Sequence, residues 1–339
     1  MRDHRPPVRP SAELPIGLIA LDVDGTLVGD DLHLSDRIVA AIGEAVRRGV
    51  HVSLATGRPA SSAVVFANGL GLTAPVIGHQ GAVVRAMPKL PEPARQATAG
   101  ARGRTGRLMY HRPLAADAVR DAIRWCRVNG LDPHVNDQDR IMVWRGDPSF
   151  DDYSAYLGND AEVVADLEAA INRPMSKVIA VGVAPRPMEL VAEARRVFAG
   201  RAEVTVSHPR FLEFVAPGVS KGRAVAWLAH RAGVPLSRVL TAGDALNDLE
   251  MIGDAGHGIA MVTAPAEVRR AARYLARPVA EDGVAALIEA LVLAPAGEAA
   301  RNAERLAAEA AEAVAADDEA GGDPGFRVDA AGMAIPGIG

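Results

Sequence analysis

Short apolar runs alternate with amphipathic stretches through the first eighty residues. The run Pro15–Leu21 stops abruptly at Asp22-Val23-Asp24-Gly25-Thr26, the pattern of a buried strand that runs out into a polar loop. Ser35 then stands where a helix cap belongs. Ile38, Val39, Ile42 and Val46 follow at helical spacing, and Gly49 closes the helix. Val50–Ala55 predicts a second strand, Pro59–Gly69 a second helix and Pro75–Gly78 a short third strand. Strand and helix in alternation imply right-handed crossovers and a parallel sheet covered on both faces.

From Leu108 to Phe211 the pattern changes. Helical stretches at Ala115–Asn129 and Pro187–Ala199 interleave with short strands at Arg140–Trp144, Lys177–Val183 and Glu203–Ser207, which suggests a separate α+β unit. The first pattern then resumes. Lys221–Ala232 predicts a helix, Val239–Ala242 a strand, Asp244–Ala255 a loop leading into a helix, Gly258–Met261 a strand and Gly283–Leu293 the last core helix. The chain therefore divides into a core (14–82 and 211–293) and an inserted unit (83–210). Residues 1–13 are expected to be a disordered leader. Residues 85–106, rich in Pro, Gly, Ala and Arg, are expected to be a flexible insertion. The Ala- and Glu-rich tail, 294–339, should be partly disordered, with a possible helix over Ala299–Ala315.

The 339 residues are 49% apolar, enough for a sizeable core in each of two units. A net charge of -5 argues against a general nucleic-acid surface. The Arg-rich stretch Arg95–Arg107 reads as a linker rather than a binding patch. A single cysteine, Cys126, rules out an internal disulfide and a cysteine-based zinc cluster; its place in a helical pattern makes it a core residue. No apolar run approaches the ~20 residues that span a bilayer. The first one ends in acids with no small-residue cleavage site. These features predict a cytoplasmic protein whose partner is a small molecule, neither nucleic acid nor membrane. They leave its oligomeric state open.

Four segments carry chemistry. Asp22 and Asp24 stand two apart at a strand end, where ligands of open parallel sheets bind. Neighbouring carboxylates need a cation between them or a proton on one. Asp22 can therefore ligate Mg²⁺ and attack phosphorus, while Asp24 can hold a proton for a leaving group. Asp and Gly at a strand end also suit a plain turn. Thr56-Gly57-Arg58 follows the second strand; the Thr56 hydroxyl can donate to a phosphoryl oxygen or simply cap a helix. Lys221 opens a helix, where the dipole opposes it, a placement that makes sense beside an anion and is otherwise an exposed surface lysine. Asp244 follows the Val239–Ala242 strand and can complete an oxygen-rich Mg²⁺ shell with Asp22. Asn247 and Asp248, one turn on, can orient it or serve only as an acidic helix start.

In this order, Asp22-Val23-Asp24-Gly25-Thr26-Leu27, Ala55-Thr56-Gly57-Arg58, Gly218–Gly222 and Gly243-Asp244-Ala245-Leu246-Asn247-Asp248 resemble the haloacid dehalogenase superfamily. Within it they are similar to the Cof-type (subfamily IIB) phosphatases, over about Leu18–Leu293. The resemblance implies an α/β fold: a Rossmann-like parallel-sheet core with an inserted α+β cap of the C2 type. It implies a phosphomonoester hydrolase acting on sugar phosphates or similar metabolites through an aspartyl-phosphate on Asp22. Asp24 would protonate the leaving alcohol and then activate water. Mg²⁺ would sit on Asp22, the Asp24 backbone carbonyl and Asp244, supported by Asn247 and Asp248. Thr56, Gly57 and Lys221 would bind the phosphoryl group. A phosphomutase, or a non-catalytic sensor phosphorylated on Asp22, would use overlapping parts. The sequence departs from the family where His79-Gln80-Gly81-Ala82 replaces the usual Asn-Gly-Ala, and again at Met261–Pro265.

Overall fold

The computed structural model of the protein describes residues 16–88, 103–144 and 161–319. Its first stretch holds strands β1 (Leu18–Leu21), β2 (His51–Leu54), β3 (Val76–Gly78), β4 (Val83–Arg85) and β5 (Leu108–His111). The middle adds β6 (Asp132–Asp137), β7 (Arg140–Trp144), β8 (Glu162–Val164), β9 (Lys177–Val181), β10 (Glu203–His208) and β11 (Phe211–Val215). The last stretch holds β12 (Val239–Gly243), β13 (His257–Met261) and β14 (Tyr274–Ala276).

A five-stranded parallel sheet in the order β14-β13-β12-β1-β2 forms the core. Its centre is apolar on both faces. Ile19 and Leu21 pack with Ile38 and Ile42 of the helix Asp36–Arg47 and with Val284 and Ile288. Leu18 and Ala20 pack on the other side with Val225 and Leu228 of the helix Lys221–Ala232 and with Met251 and Ile252. β1 leads outward to β2 on one side, and β12 leads to β13 and β14 on the other. The gap between the ends of β1 and β12 is therefore a topological switch point, where open α/β sheets hold ligands. Leu21 pairs with Leu54 on one side and Ala242 on the other, so Asp22 leaves the sheet level with Ala55 and Gly243.

β3 does not extend the parallel sheet as a full strand. One bridge, Ala55 to Ile77, links it there, and it pairs antiparallel with β4, which pairs with β5. The cause is local. His79, Gln80 and Gly81 take φ of 51°, 59° and 98°, and this left-handed run turns the chain back on itself.

A second sheet, β10-β11-β9-β6-β7-β8, is antiparallel apart from its β7–β8 pair. Trp125 and Phe198 pack edge-on against Phe214 at centroid distances of 5.6 and 4.8 Å. The expected helix Pro187–Ala199 is two helices, Arg186–Glu189 and Val191–Val197. Strand β6 escapes sequence reading because Asp132-Pro133-His134-Val135-Asn136-Asp137 resembles a polar loop, yet it lies between β9 and β7. Cys126 is buried, as expected of a core residue, and burial pushes its thiol up.

Past the last core helix, Ala296–Glu319 forms a helix longer than the expected Ala299–Ala315. It lies against β14, with Ala299 and Ala310 buried and Arg269 paired to Asp317 at 2.8 Å. The expected leader, residues 89–102 of the insertion and the last twenty residues of the tail lie outside the described residues. The near edge of the insertion is docked: the Gly103 N–H donates to the Ser61 carbonyl at 2.9 Å. No helix among the described residues is long and apolar enough to cross a membrane.

Phe214 joins both aromatic contacts from a fully buried position. Phe214→Ala is expected to cost about 3–5 kcal/mol in denaturant unfolding, whereas a loss below about 1 kcal/mol would contradict this packing.

Candidate active site

Four loops meet at the carboxyl ends of β1, β2 and β12. The first is shaped by Gly25, whose φ is +73°. A Cβ there would lie 2.2 Å from Asp244 Oδ2, so glycine serves both the turn and the approach of the opposing acid. Gly243 plays a similar part: its Cβ would lie 2.4 Å from Asp248 Cγ. Thr26 Oγ1 donates to Asp244 Oδ1 at 3.4 Å, a weak link between the two loops.

Lys221 ties the loops together. Ser220 caps its helix, accepting from the Arg223 N–H at 3.1 Å, which sets Lys221 in the first turn. The buried ammonium donates to Asp248 Oδ1 at 2.7 Å and lies 2.8 Å from Asp22 Oδ1. Asp248 Oδ2 accepts from the Asp244 and Ala245 N–H groups at 3.1 Å each, so this residue braces the loop that carries Asp244.

Asp22, Asp244 and Asp248 each offer a carboxylate oxygen within 4.8 Å of the others. Three crowded carboxylates, those of Asp22 and Asp248 buried and that of Asp244 partly buried, cannot all ionise cheaply around one ammonium. Burial, with Asp248 and Asp24 nearby, pushes Asp22 up to about 7 even though Lys221 opposes the shift. Burial and the neighbouring Asp22 and Asp248 raise Asp244 as well. Burial disfavours the Lys221 charge, but Asp22 and Asp248 outweigh it and hold the ammonium above its usual range. The cluster thus calls for a proton or a hard cation. Both Asp248 oxygens already accept from protein donors, so the open oxygens belong to Asp22 and Asp244. This donor set fits a divalent ion of the magnesium type.

On the β2 side, Thr56 is buried and its Oγ1 accepts from the Arg58 N–H at 3.1 Å, which leaves the hydroxyl proton to donate elsewhere. The Arg58 guanidinium grips both oxygens of Asp24, one through Nε at 2.7 Å, and lies over the Phe66 ring. The Asp24 side chain is one-third exposed, far more open than those of Asp22 and Asp248.

Asp22, Asp24, Thr56, Gly57, Lys221 and Asn247 all line one open cleft of about 470 Å³. Asp244 and Asp248 adjoin it through Asp22 and Lys221. Asn247 Nδ2 donates to Gln80 Oε1 at 2.8 Å. The opposite wall carries Lys177, Ile179, Ser207, Phe211 and Glu213. Lys177 and Glu213 line the cleft as a buried ion pair, and Lys177 also donates to the Gly57 carbonyl at 2.8 Å. Their signal in the sequence was a charge inside each apolar strand, Lys177 before Val178-Ile179-Ala180 and Glu213 between Leu212 and Phe214. His208 is half-buried and lies beside Phe211.

Two outcomes follow from this geometry. Gly25→Ala should displace Asp244 and cut turnover about a hundredfold with the circular dichroism spectrum unchanged, the order lost when a catalytic group is misplaced. Near-normal turnover would show that the close approach is dispensable. The raised Asp22 means that the fold, without a cation, binds a proton that the unfolded chain releases near 3.8. This group's contribution to stability therefore falls as pH rises from about 4 to about 7 and is level above that. A divalent cation competes for the same proton. Mg²⁺ should accordingly raise the Tm more at pH 8 than at pH 5.5; an equal shift at both would refute the linkage.

Residues 19–288 match the haloacid dehalogenase-like hydrolase family. A Bacillus subtilis 5-amino-6-(5-phospho-D-ribitylamino)uracil phosphatase is 28% identical, the match covering 83% of this chain and 98% of the relative. A haloacid dehalogenase-like hydrolase from Bacteroides thetaiotaomicron superposes with a TM-score of 0.66 at 28% identity, covering 81% of this chain and 98% of that one. A subclass IIB sugar phosphatase has the same fold, with a TM-score of 0.68 at 21% identity over 80% and 97% of the two chains. With a parallel-sheet core, an inserted cap and a cluster of acids at the switch point, the chain belongs to the haloacid dehalogenase-like hydrolases, in the Cof-type branch, and its relatives include named phosphatases.

Proposed function

We propose that the protein hydrolyses small phosphomonoesters, sugar phosphates or similar polyol phosphates, through an aspartyl-phosphate on Asp22. The observation that carries this reading is the convergence of Asp22, Asp24, Thr56 and Lys221 on one cleft, with Asp244 and Asp248 adjoining. In the proposed reaction an Asp22 oxygen attacks phosphorus while Lys221 and the Thr56 hydroxyl hold phosphoryl oxygens. The P–O bond to the leaving alcohol breaks, and Asp24 gives that oxygen its proton. Asp24 then takes a proton from water as it attacks phosphorus, which frees phosphate and Asp22. Asp24 is suited to this exchange because its side chain is the more open of the pair; Arg58 holds it in place at the cleft.

Mg²⁺, held by Asp22, the Asp24 backbone carbonyl and Asp244 with Asp248 and Asn247 in support, would neutralise charge on the transferring phosphoryl group. The inserted segment, which we place at 83–210, would act as a lid that sets specificity, since Lys177, Ile179 and Ser207 face the cleft from it. Ile179 and Phe211 beside Ser207 suit a leaving group with one apolar and one hydroxylated side.

Turnover of p-nitrophenyl phosphate with Mg²⁺ is the expected result for the purified chain. Asp22→Asn should lower kcat by at least about 10³-fold and Asp24→Asn by about 10²–10⁴-fold, the range for nucleophile and acid–base losses. Chelation should abolish the activity. Undiminished turnover in Asp22→Asn would end this reading.

A further inference from the structure

The turn after β3 departs from the family's pattern, and the residue that departs is the one best placed to join the two walls of the cleft. Gln80 is buried and left-handed, at φ 59° and ψ 22°. Such a backbone is unfavourable for a residue with a Cβ and persists where surrounding contacts determine it. The contacts here reach the loop after β2, the loop after β12 and strand β11. The Gln80 N–H donates to the Thr56 carbonyl at 3.2 Å. Its side-chain oxygen accepts from Asn247 Nδ2 at 2.8 Å, and its side-chain nitrogen donates to Glu213 Oε1 at 2.7 Å. A Cβ on Gly57 would lie 2.5 Å from that nitrogen, so the glycine of the Thr56-Gly57 loop makes room for this amide.

Through Glu213 the chain of contacts continues. Glu213 pairs with Lys177, which reaches back to the Gly57 carbonyl, and it accepts from the Ser207 hydroxyl. A second cleft of about 820 Å³ borders Gln80, Lys221 and Asn247, and the last two also line the catalytic cleft. The Gln80 amide therefore stands at a partition between them.

We infer that Gln80 is a positioning residue: its carboxamide, one acceptor and one donor used in opposite directions, locks Asn247 on the core to the Glu213–Lys177 pair across the cleft. The inference rests on the phosphatase reading for its catalytic consequence, but not for the coupling itself. Only an amide supplies both polarities at this place. A carboxylate of the same shape keeps the acceptor toward Asn247 and sets acceptor against acceptor at Glu213.

The test is a double-mutant cycle on the full chain with p-nitrophenyl phosphate and Mg²⁺, well below the Tm of each variant. Gln80→Glu should lower kcat/KM about tenfold. The loss should fall on kcat, with KM moving less than about threefold, because Asn247 and Lys177 border the reacting end. Adding Glu213→Gln restores a donor opposite the new acceptor and keeps one carboxylate near Lys177, so the double variant should recover most of the loss in both kcat/KM and Tm. Single and double losses that simply multiply, or a Gln80→Glu enzyme equal to wild type, would overturn the inference. A wild-type chain that turns over no phosphate ester would sink the phosphatase reading instead, and the coupling would then be decided by Tm across the same four proteins.

Discussion

One buried ammonium organises this molecule's functional end. Lys221 is claimed by Asp22 from β1 and by Asp248 from the loop after β12, and it sits at the start of a helix whose dipole does not favour it. Removing the ammonium would leave Asp22 and Asp248 as uncompensated buried charges, which is why the β1 loop, the β12 loop and the helix Lys221–Ala232 hold their relative positions. The balance is deliberately incomplete: one cation faces three acids, so the site retains an affinity for positive charge that the protein itself does not satisfy. The same imbalance suits a reaction in which a phosphoryl group brings negative charge and must be met by both a cation and fixed donors.

The parallel sheet supplies the precision. Because Leu21 is in register with Leu54 and Ala242, a one-residue change in β1 would move Asp22 out of level with Ala55 and Gly243 and turn its side chain to the other face. Buried strands with apolar neighbours on both faces resist that slip. The glycines finish the fit: the space that a side chain would take at residue 25 belongs to Asp244, and at residue 243 to Asp248. Loop chemistry and sheet register thus act on the same few ångströms.

Much of this was legible in the sequence, for physical reasons. β1, β2 and β12 are short and apolar and end at polar residues, so their limits and the acids beyond them stand out. The Lys221–Ala232 helix declares itself by its Ser220 cap and its αL closing residue Gly233. The second sheet was harder to read. β6 carries Pro133, His134 and Asn136 inside a sheet, and its polarity hides its burial. The turn at His79–Gly81 was visible as a departure, but no local rule says that two residues with side chains will adopt positive φ. The Lys177–Glu213 pair was hidden because a charge within an apolar strand has no partner until the strands pair. Spacing set Asn247 near the acids, but the bond from its amide nitrogen to Gln80 joins residues 167 apart, which spacing does not reveal.

The helix Ala296–Glu319 is joined to the core largely through alanines, with Leu306 and the Arg269–Asp317 pair as its larger contacts. Methyl groups permit close approach but remove little apolar area from water, so each contributes a small part of what a leucine would. The helix touches β14, the strand of the parallel sheet farthest from β2 and well removed from Asp22. Its hold on the flank is therefore light for so long a helix, and its contacts lie away from the cleft.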